Sequence, residues 1–239
     1  MIEVKDLCYS FADKQVLKNI SFKLENKENL VILGRSGSGK TVLIKTLLGI
    51  YTPDLGTVLI DGLDVHHCDA KIQQEIKKRF AMVFQNAALL DSFTVRQNIA
   101  LPLYERGETD SNVILDKVKA CLSLIGLENT INLYPSELSG GMRKRIGIAR
   151  ALVYNPEYII FDEPVSGLDP ITADEILFYI SRIIGTAEAT LITITHQIES
   201  ISRVGDQVLF IDNGEVIYSG SVNALFRTDN EFIKRYVAS

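Results

Sequence analysis

Residues 34–41 read Gly34-Arg35-Ser36-Gly37-Ser38-Gly39-Lys40-Thr41 and fit G-x-x-x-x-G-K-[ST] in full. The flanks decide what such a run means. Leu30-Val31-Ile32-Leu33 precedes it, a short run with no polar residue, which suits a strand buried on both faces. Residues 41–48 follow with helical patterning. Strand, glycine-rich turn and helix in that order make a unit whose backbone N–H groups turn inward on an anion. Glycine permits the turn because it has no Cβ to clash. The helix aims the positive end of its dipole at the same point. Lys40 is then placed for the β- and γ-phosphates of a nucleotide, and the Thr41 hydroxyl for Mg²⁺. By itself the loop specifies a nucleoside triphosphate and no more, since kinases, GTPases and motors all use it.

The rest of the chain alternates strand and helix patterns. Segments 2–7 and 16–24 are apolar-rich strands about a turn near residues 12–14, and 58–60 is a short strand closed by Asp61-Gly62. Between 87 and 150 the texture is helical, with apolar residues at helical spacing over 113–125 and 142–153. Gly126 ends the first of these helices and Pro135 lies in the loop between them. Strand patterns return at 158–161, 190–195, 208–211 and 216–218. This alternation favours a parallel α/β core. The expected organisation is a catalytic core of 1–86 and 151–221, an inserted helical subdomain at 87–150, and a tail at 222–239 of one or two short helices.

At 239 residues, 46% of them hydrophobic, the chain can bury a core without covalent staples. Cys8, Cys68 and Cys121 stand far apart and read as free thiols in a reducing compartment. His66-His67-Cys68 share one short loop, where adjacent residues rarely converge on one ion, so a solvated loop is expected. A net charge of −5 lends no support to nucleic-acid binding. The first ten residues lack the apolar core of a signal peptide, and no run approaches the roughly 20 apolar residues that cross a bilayer. Work at a membrane would therefore require a partner to hold the chain there.

Two further runs carry chemistry. Leu138-Ser139-Gly140-Gly141-Met142 stands directly before a basic helical stretch, so a serine and two glycines sit at a helix N-terminus as a second anion site. Tyr158-Ile159-Ile160-Phe161-Asp162-Glu163 is an apolar strand ending in two carboxylates. Acids at the end of a buried strand must face a cation or a site, because unpaired burial is costly.

These runs resemble the ABC (ATP-binding cassette) ATPases, and the resemblance extends in order from about residue 2 to 225. It implies a P-loop NTPase of ABC type. The fold would be α/β, with a mainly parallel core sheet, an N-terminal antiparallel β subdomain and an inserted α-helical subdomain. It implies ATP and Mg²⁺ as cofactors, and a head-to-tail homodimer in which Ser139, Gly140 and Gly141 of one copy face the γ-phosphate on the other copy's loop. Asp162 matches the Walker B aspartate that holds Mg²⁺, Glu163 beside it then suits a general base on the attacking water, and Ser166-Gly167-Leu168-Asp169 matches the D-loop. His196, after Thr195, matches the H-loop histidine that contacts the γ-phosphate. Gln85 matches the Q-loop glutamine that senses Mg²⁺ and water, and Phe11 the ring that stacks on adenine.

The run Leu89-Leu90-Asp91-Ser92-Phe93-Thr94-Val95 and its continuation look like the importer and lipid-transport branches. The Met142 form of the signature and Asp169-Pro170-Ile171-Thr172 are similar to the ATPases of MCE-associated, Mla-type lipid transporters. That likeness implies integral membrane permease subunits as partners, together with an MCE-domain lipid-binding protein and a small regulatory subunit. It places the chain on the cytoplasmic face of an inner membrane, with a groove near residues 85–104 gripping a permease helix. Importers of small polar solutes, non-transport soluble ABC proteins and a catalytically silent subunit are the alternatives. The retention of Lys40, Asp162, Glu163 and His196 argues against the last. Three departures stand out: Met142 for the usual glutamine, Gln197 after the H-loop histidine, and Lys27 in place of the glycine usual before Glu28.

Overall fold

The computed structural model describes residues 1–186, 188–198 and 201–237. In chain order it runs β1 (Ile2–Phe11), β2 (Lys14–Leu24), β3 (Leu30–Leu33), α1 (Lys40–Leu47), β4 (Leu55–Ile60), β5 (Leu63–Asp64), α2 (Ala70–Lys78) and β6 (Phe80–Val83). The helical stretch follows as α3 (Val95–Glu105), α4 (Ser111–Leu124) and α5 (Gly140–Leu152). The chain then continues through β7 (Tyr158–Asp162), α6 (Pro170–Thr186), β8 (Thr190–Thr195) and α7 (Ile201–Val204). It closes with β9 (Gln207–Asp212), β10 (Glu215–Ser221), α8 (Val222–Leu225) and α9 (Glu231–Val237). Two compact units result: Met1–Phe80 with Thr190–Ser239, and Ala81–Ala189.

In the first unit β2, β1, β4 and β5 form an antiparallel sheet in that order. A second sheet places β3 between β8 and β9, parallel to both, with β10 antiparallel on β9. The apolar run of β3 is buried at all four positions, and β8 at all six, so central parallel strands account for both patterns. Asn29 anchors this arrangement from within. Its side-chain nitrogen donates to Asp206 Oδ2 at 2.9 Å, its Oδ1 accepts from Leu191 N at 3.3 Å, and its carbonyl accepts from Asp206 N and Gln207 N. One buried side chain thus ties the start of β3 to β8 and β9, and aims the loop that follows β3.

The departure at Lys27 has a conformational meaning. Lys27 lies at φ 66°, a left-handed conformation in which glycine is at ease and a Cβ costs about 1 kcal/mol. Its N–H donates to Thr190 Oγ1 at 2.8 Å, a bond that glycine would keep. Lys27→Gly is therefore expected to raise stability, but by only about 0.5 kcal/mol because glycine also frees the unfolded chain. Chemical denaturation at constant m-value checks this.

In the second unit β7 lies beside β6, and three helices close a core of their own. Val95, Ile99 and Leu103 of α3 meet Ile114, Val118 and Leu122 of α4 and Ile146 and Ala149 of α5. The four-residue spacing puts each set on one helix face. Met142 packs its thioether against this cluster, so an apolar contact stands where the signature usually has an amide.

Asn98 is fully buried among these side chains. Its Oδ1 accepts from Leu90 N at 2.8 Å, and its Nδ2 reaches the carbonyls of Leu90, Phe93 and Thr94 at 3.0–3.1 Å. Loop 90–94 is organised by that one amide. Asn98→Ala leaves several backbone groups unsatisfied and is expected to cost about 3 kcal/mol. At this chain length that reads as a fall in Tm of about 10 °C.

Candidate nucleotide and catalytic site

The first unit carries the phosphate loop. At Gly34 a Cβ would stand 2.2 Å from the Ile211 carbonyl oxygen, so no side chain fits where β3 passes into the loop. The amine of the buried Lys40 donates to Gly34 O at 2.6 Å and Arg35 O at 2.9 Å, holding the loop around itself. Gly39 starts α1 at φ 107° with no side-chain cap, which leaves first-turn N–H groups for an anion. The Ser38 hydroxyl is buried and finds no hydrogen-bond partner among the described residues. An orphaned donor and uncapped amides on one loop fit a phosphate group. Ser36 and Gly37 are exposed on the loop's rim, and Thr41 is exposed on the first turn of the helix.

His196 follows the buried end of β8 and is exposed. Its carbonyl accepts from Tyr236 Oη at 2.8 Å, and the Arg35 guanidinium lies 4.9 Å from the Phe232 ring centre. The tail helix α9 therefore touches both loops.

Phe11 is 46% exposed and belongs to an aromatic trio. Its ring meets Tyr9 at 5.0 Å and Tyr51 at 5.5 Å, both edge-on, while the two tyrosines stack at 5.2 Å. This geometry fixes one ring with surface left for a flat ligand. The sequence singles out Phe11 and not the tyrosines. Tyr51 lies forty residues away, and no periodicity links it to the others.

The second unit carries the carboxylates and the signature helix. Asp162 closes β7, and Glu163 follows at φ 48°, a conformation rare for a residue with a Cβ. Its Oε2 is buried. Ser166 N donates to Glu163 O at 3.2 Å and closes the turn. The Gln85 amide nitrogen donates to Ser166 Oγ at 3.2 Å.

Ser139 caps α5: its hydroxyl oxygen accepts from Met142 N at 3.2 Å, which leaves its proton to donate elsewhere. Gly140 is exposed beside it. A Cβ on Gly141 would stand 2.6 Å from the Thr172 methyl, so the second signature glycine is set by packing on α6. After Gln85 the backbone turns through Ala87 at φ 58° and Ala88 at φ 48°. Arg150 holds that turn, donating to Ala87 O at 2.7 Å and Ala88 O at 2.8 Å. Gln85, Asp91, Gly140, Lys144 and Ser166 contribute to the walls of a cleft of about 500 Å³.

Within the loop at His66-His67-Cys68, expected to be solvated, His67 is exposed but His66 is not. His66 is half-buried, and burial pulls its imidazole below the ordinary histidine value. Asp64 accepts from the His66 and His67 N–H groups at 2.9 and 3.2 Å, folding the segment back on itself.

The ABC transporter family profile matches residues 17–166. The chain is 35% identical over 253 residues to the protein TRIGALACTOSYLDIACYLGLYCEROL 3, chloroplastic, of Arabidopsis thaliana, covering 99% of this chain and 73% of that one. It is 36% identical over 236 residues to the probable ribonucleotide transport ATP-binding protein mkl of Mycobacterium leprae, covering 99% and 68%. Its fold superposes with a TM-score of 0.82 and 28% identity on a dimeric post-hydrolysis state of the ATP-binding cassette MJ0796 bound to ADP and Pi, covering 93% of this chain and 99% of that one. The chain belongs to the ABC transporter family. It is an ATP-binding subunit of an ABC transporter and an ATPase.

Proposed function

We propose that this ATPase drives movement of phospholipid, or another lipid, through a separate integral membrane permease. The observation that carries the lipid reading is similarity over 99% of the chain to a protein named for a galactolipid. The Met142 form of the signature and the run Asp169-Pro170-Ile171-Thr172 favour the same branch.

The chemistry proposed for each residue follows from its group. Lys40 and the loop amides of residues 34–41 bind the β- and γ-phosphates, and Phe11 stacks on the adenine. Thr41, Asp162 and Gln85 would hold Mg²⁺, since each offers oxygen to a hard cation. The Gln85 nitrogen is engaged by Ser166, which leaves its oxygen as the donor for an ion. When bound, the ion neutralises charge on the β- and γ-oxygens. Glu163 takes a proton from water as the water oxygen attacks the γ-phosphorus, and ADP leaves with its β-oxygen as the bond breaks. His196 holds the γ-phosphate in line.

Two copies work as a homodimer, with Ser139, Gly140 and Gly141 of each capping the other's ATP. Ile171, 77% exposed beside the D-loop, suits an apolar seam. No helix among the described residues is long and apolar enough to cross a membrane, so the permease supplies the span. Leu90 and Tyr104 are exposed side chains with apolar surface on the stretch proposed to grip it at the cytoplasmic face of the inner membrane. An MCE-domain protein and a small regulatory subunit complete the assembly.

Purification of the tagged chain from gently solubilised native membranes, with mass spectrometry of proteins and lipids, tests this. A permease recovered with an MCE-domain protein and phospholipid supports the lipid reading. A permease for a polar solute moves the cargo toward a ribonucleotide, for whose transport the mycobacterial relative is named. Recovery only with soluble factors rejects the transporter assembly.

A further inference from the structure

The signature helix α5 reaches the chain's own catalytic turn through a side chain that the chemistry above leaves unused. Lys144 Nζ donates to Pro164 O at 2.9 Å and to Ser166 O at 2.9 Å. Those two carbonyls belong to the turn that leaves Glu163, and Ser166 N closes that turn on Glu163 O. Burial draws the Lys144 ammonium below the ordinary lysine value, while the Glu163 charge opposes that shift. Taking an ammonium out of water is costly, and an apolar side chain would fill the same space without that cost. The arrangement also restrains a backbone under strain, since Glu163 stands at φ 48°.

We infer that Lys144 is a positioning residue for Glu163, fixing the Glu163–Ser166 turn to the N-terminal half of α5. Gln85 grips the same turn through Ser166 Oγ, so the signature helix, the Q-loop side chain and the base form one hydrogen-bonded set. In the proposed dimer, this chain's Ser139 engages the ATP on the partner copy, and that engagement is thereby felt at this chain's own base. The inference rests on the reading of Glu163 as general base.

The test is a double-mutant cycle on the full chain, reading ATPase kcat and, by calorimetry, the Kd for ATP. Lys144→Met is expected to lower kcat by about 10–100-fold, the usual effect of a small misplacement of a reacting group. The Kd for ATP is expected to move by less than about threefold, because the lost contact matters to the transition state and not to binding. Lys144→Arg, which keeps charge and donors, is expected to recover most of kcat. In a Glu163→Gln background Lys144→Met is expected to add no further loss, whereas a merely structural role gives losses that multiply. Wild-type kcat in Lys144→Met beside a slow Glu163→Gln overturns the inference, and so do multiplying losses. Wild-type turnover in Glu163→Gln alone rejects the base assignment instead. If Lys144→Met does not fold, Lys144→Gln, which keeps a donor without the charge, enters the same cycle and is judged by the same non-additivity.

Discussion

Glu163→Gln is expected to bind ATP as tightly as the parent chain and to turn it over about 10²–10⁴-fold more slowly. Glutamine keeps the volume and planarity of the side chain, so packing about the buried Oε2 is preserved. It lacks the basic oxygen that would take a proton from water. Removing the negative charge also removes repulsion toward the γ-phosphate, so the closed dimer should persist. Turnover by phosphate release, Kd by calorimetry and dimer content by size exclusion with ATP together check this. Wild-type turnover in this variant would show that another group removes the proton.

Lys40→Ala is expected to fail one step earlier. A charge-assisted contact to phosphate is worth about 1.5–3 kcal/mol, which corresponds to a loss of roughly 10–100-fold in ATP affinity. The structure adds a second cost, because Lys40 is also the donor to Gly34 O and Arg35 O. Alanine leaves both carbonyls without that donor and loosens the loop that presents the amides. Turnover is therefore expected to fall below detection at ATP concentrations that saturate the parent. The two variants separate cleanly: Lys40→Ala loses nucleotide, whereas Glu163→Gln keeps it. Undiminished ATPase in Lys40→Ala would reject the phosphate-loop assignment.

Much of the fold is legible in local pattern. β3 and β8 are buried end to end, and their apolar composition says so directly. Helices α4 and α5 carry their apolar faces at regular spacing and were expected within two residues of their observed ends. Two longer helices, α2 and α6, stand outside the sequence expectations for different reasons. α2 buries only Ile76, so a periodic stripe hardly exists. α6 carries Ile176, Ile180 and Ile183 buried at helical spacing and opens with Asp169 accepting from Ile171 N and Thr172 N around Pro170, yet residues 169–172 also fit a family motif, which hides the helix start.

The site divides in the same way. Residues within one contiguous motif are singled out by the sequence, because the motif encodes strand, turn and helix together. Tyr51, Lys144 and Arg150 are not, because each acts through partners far along the chain or through backbone carbonyls, while Tyr9 shares a strand face with Phe11 two residues on. A carbonyl is present at every residue and leaves no mark in a sequence. His66 was misjudged for a related reason, since its burial depends on the fold around the loop and not on its neighbours in the chain.

The contact between Gly141 and Thr172 bears on how such a chain can drift. The space denied to a Cβ at 141 is taken by one methyl group, 2.6 Å away, while the Thr172 hydroxyl is bonded to Asp169 Oδ2 at 2.6 Å. A serine at 172 would vacate that space and keep the hydroxyl bond. A lineage could then admit alanine at 141 after that exchange but not before it. The two positions form a ratchet in which the order of substitutions matters, and the glycine is held in place by a methyl group on a different helix.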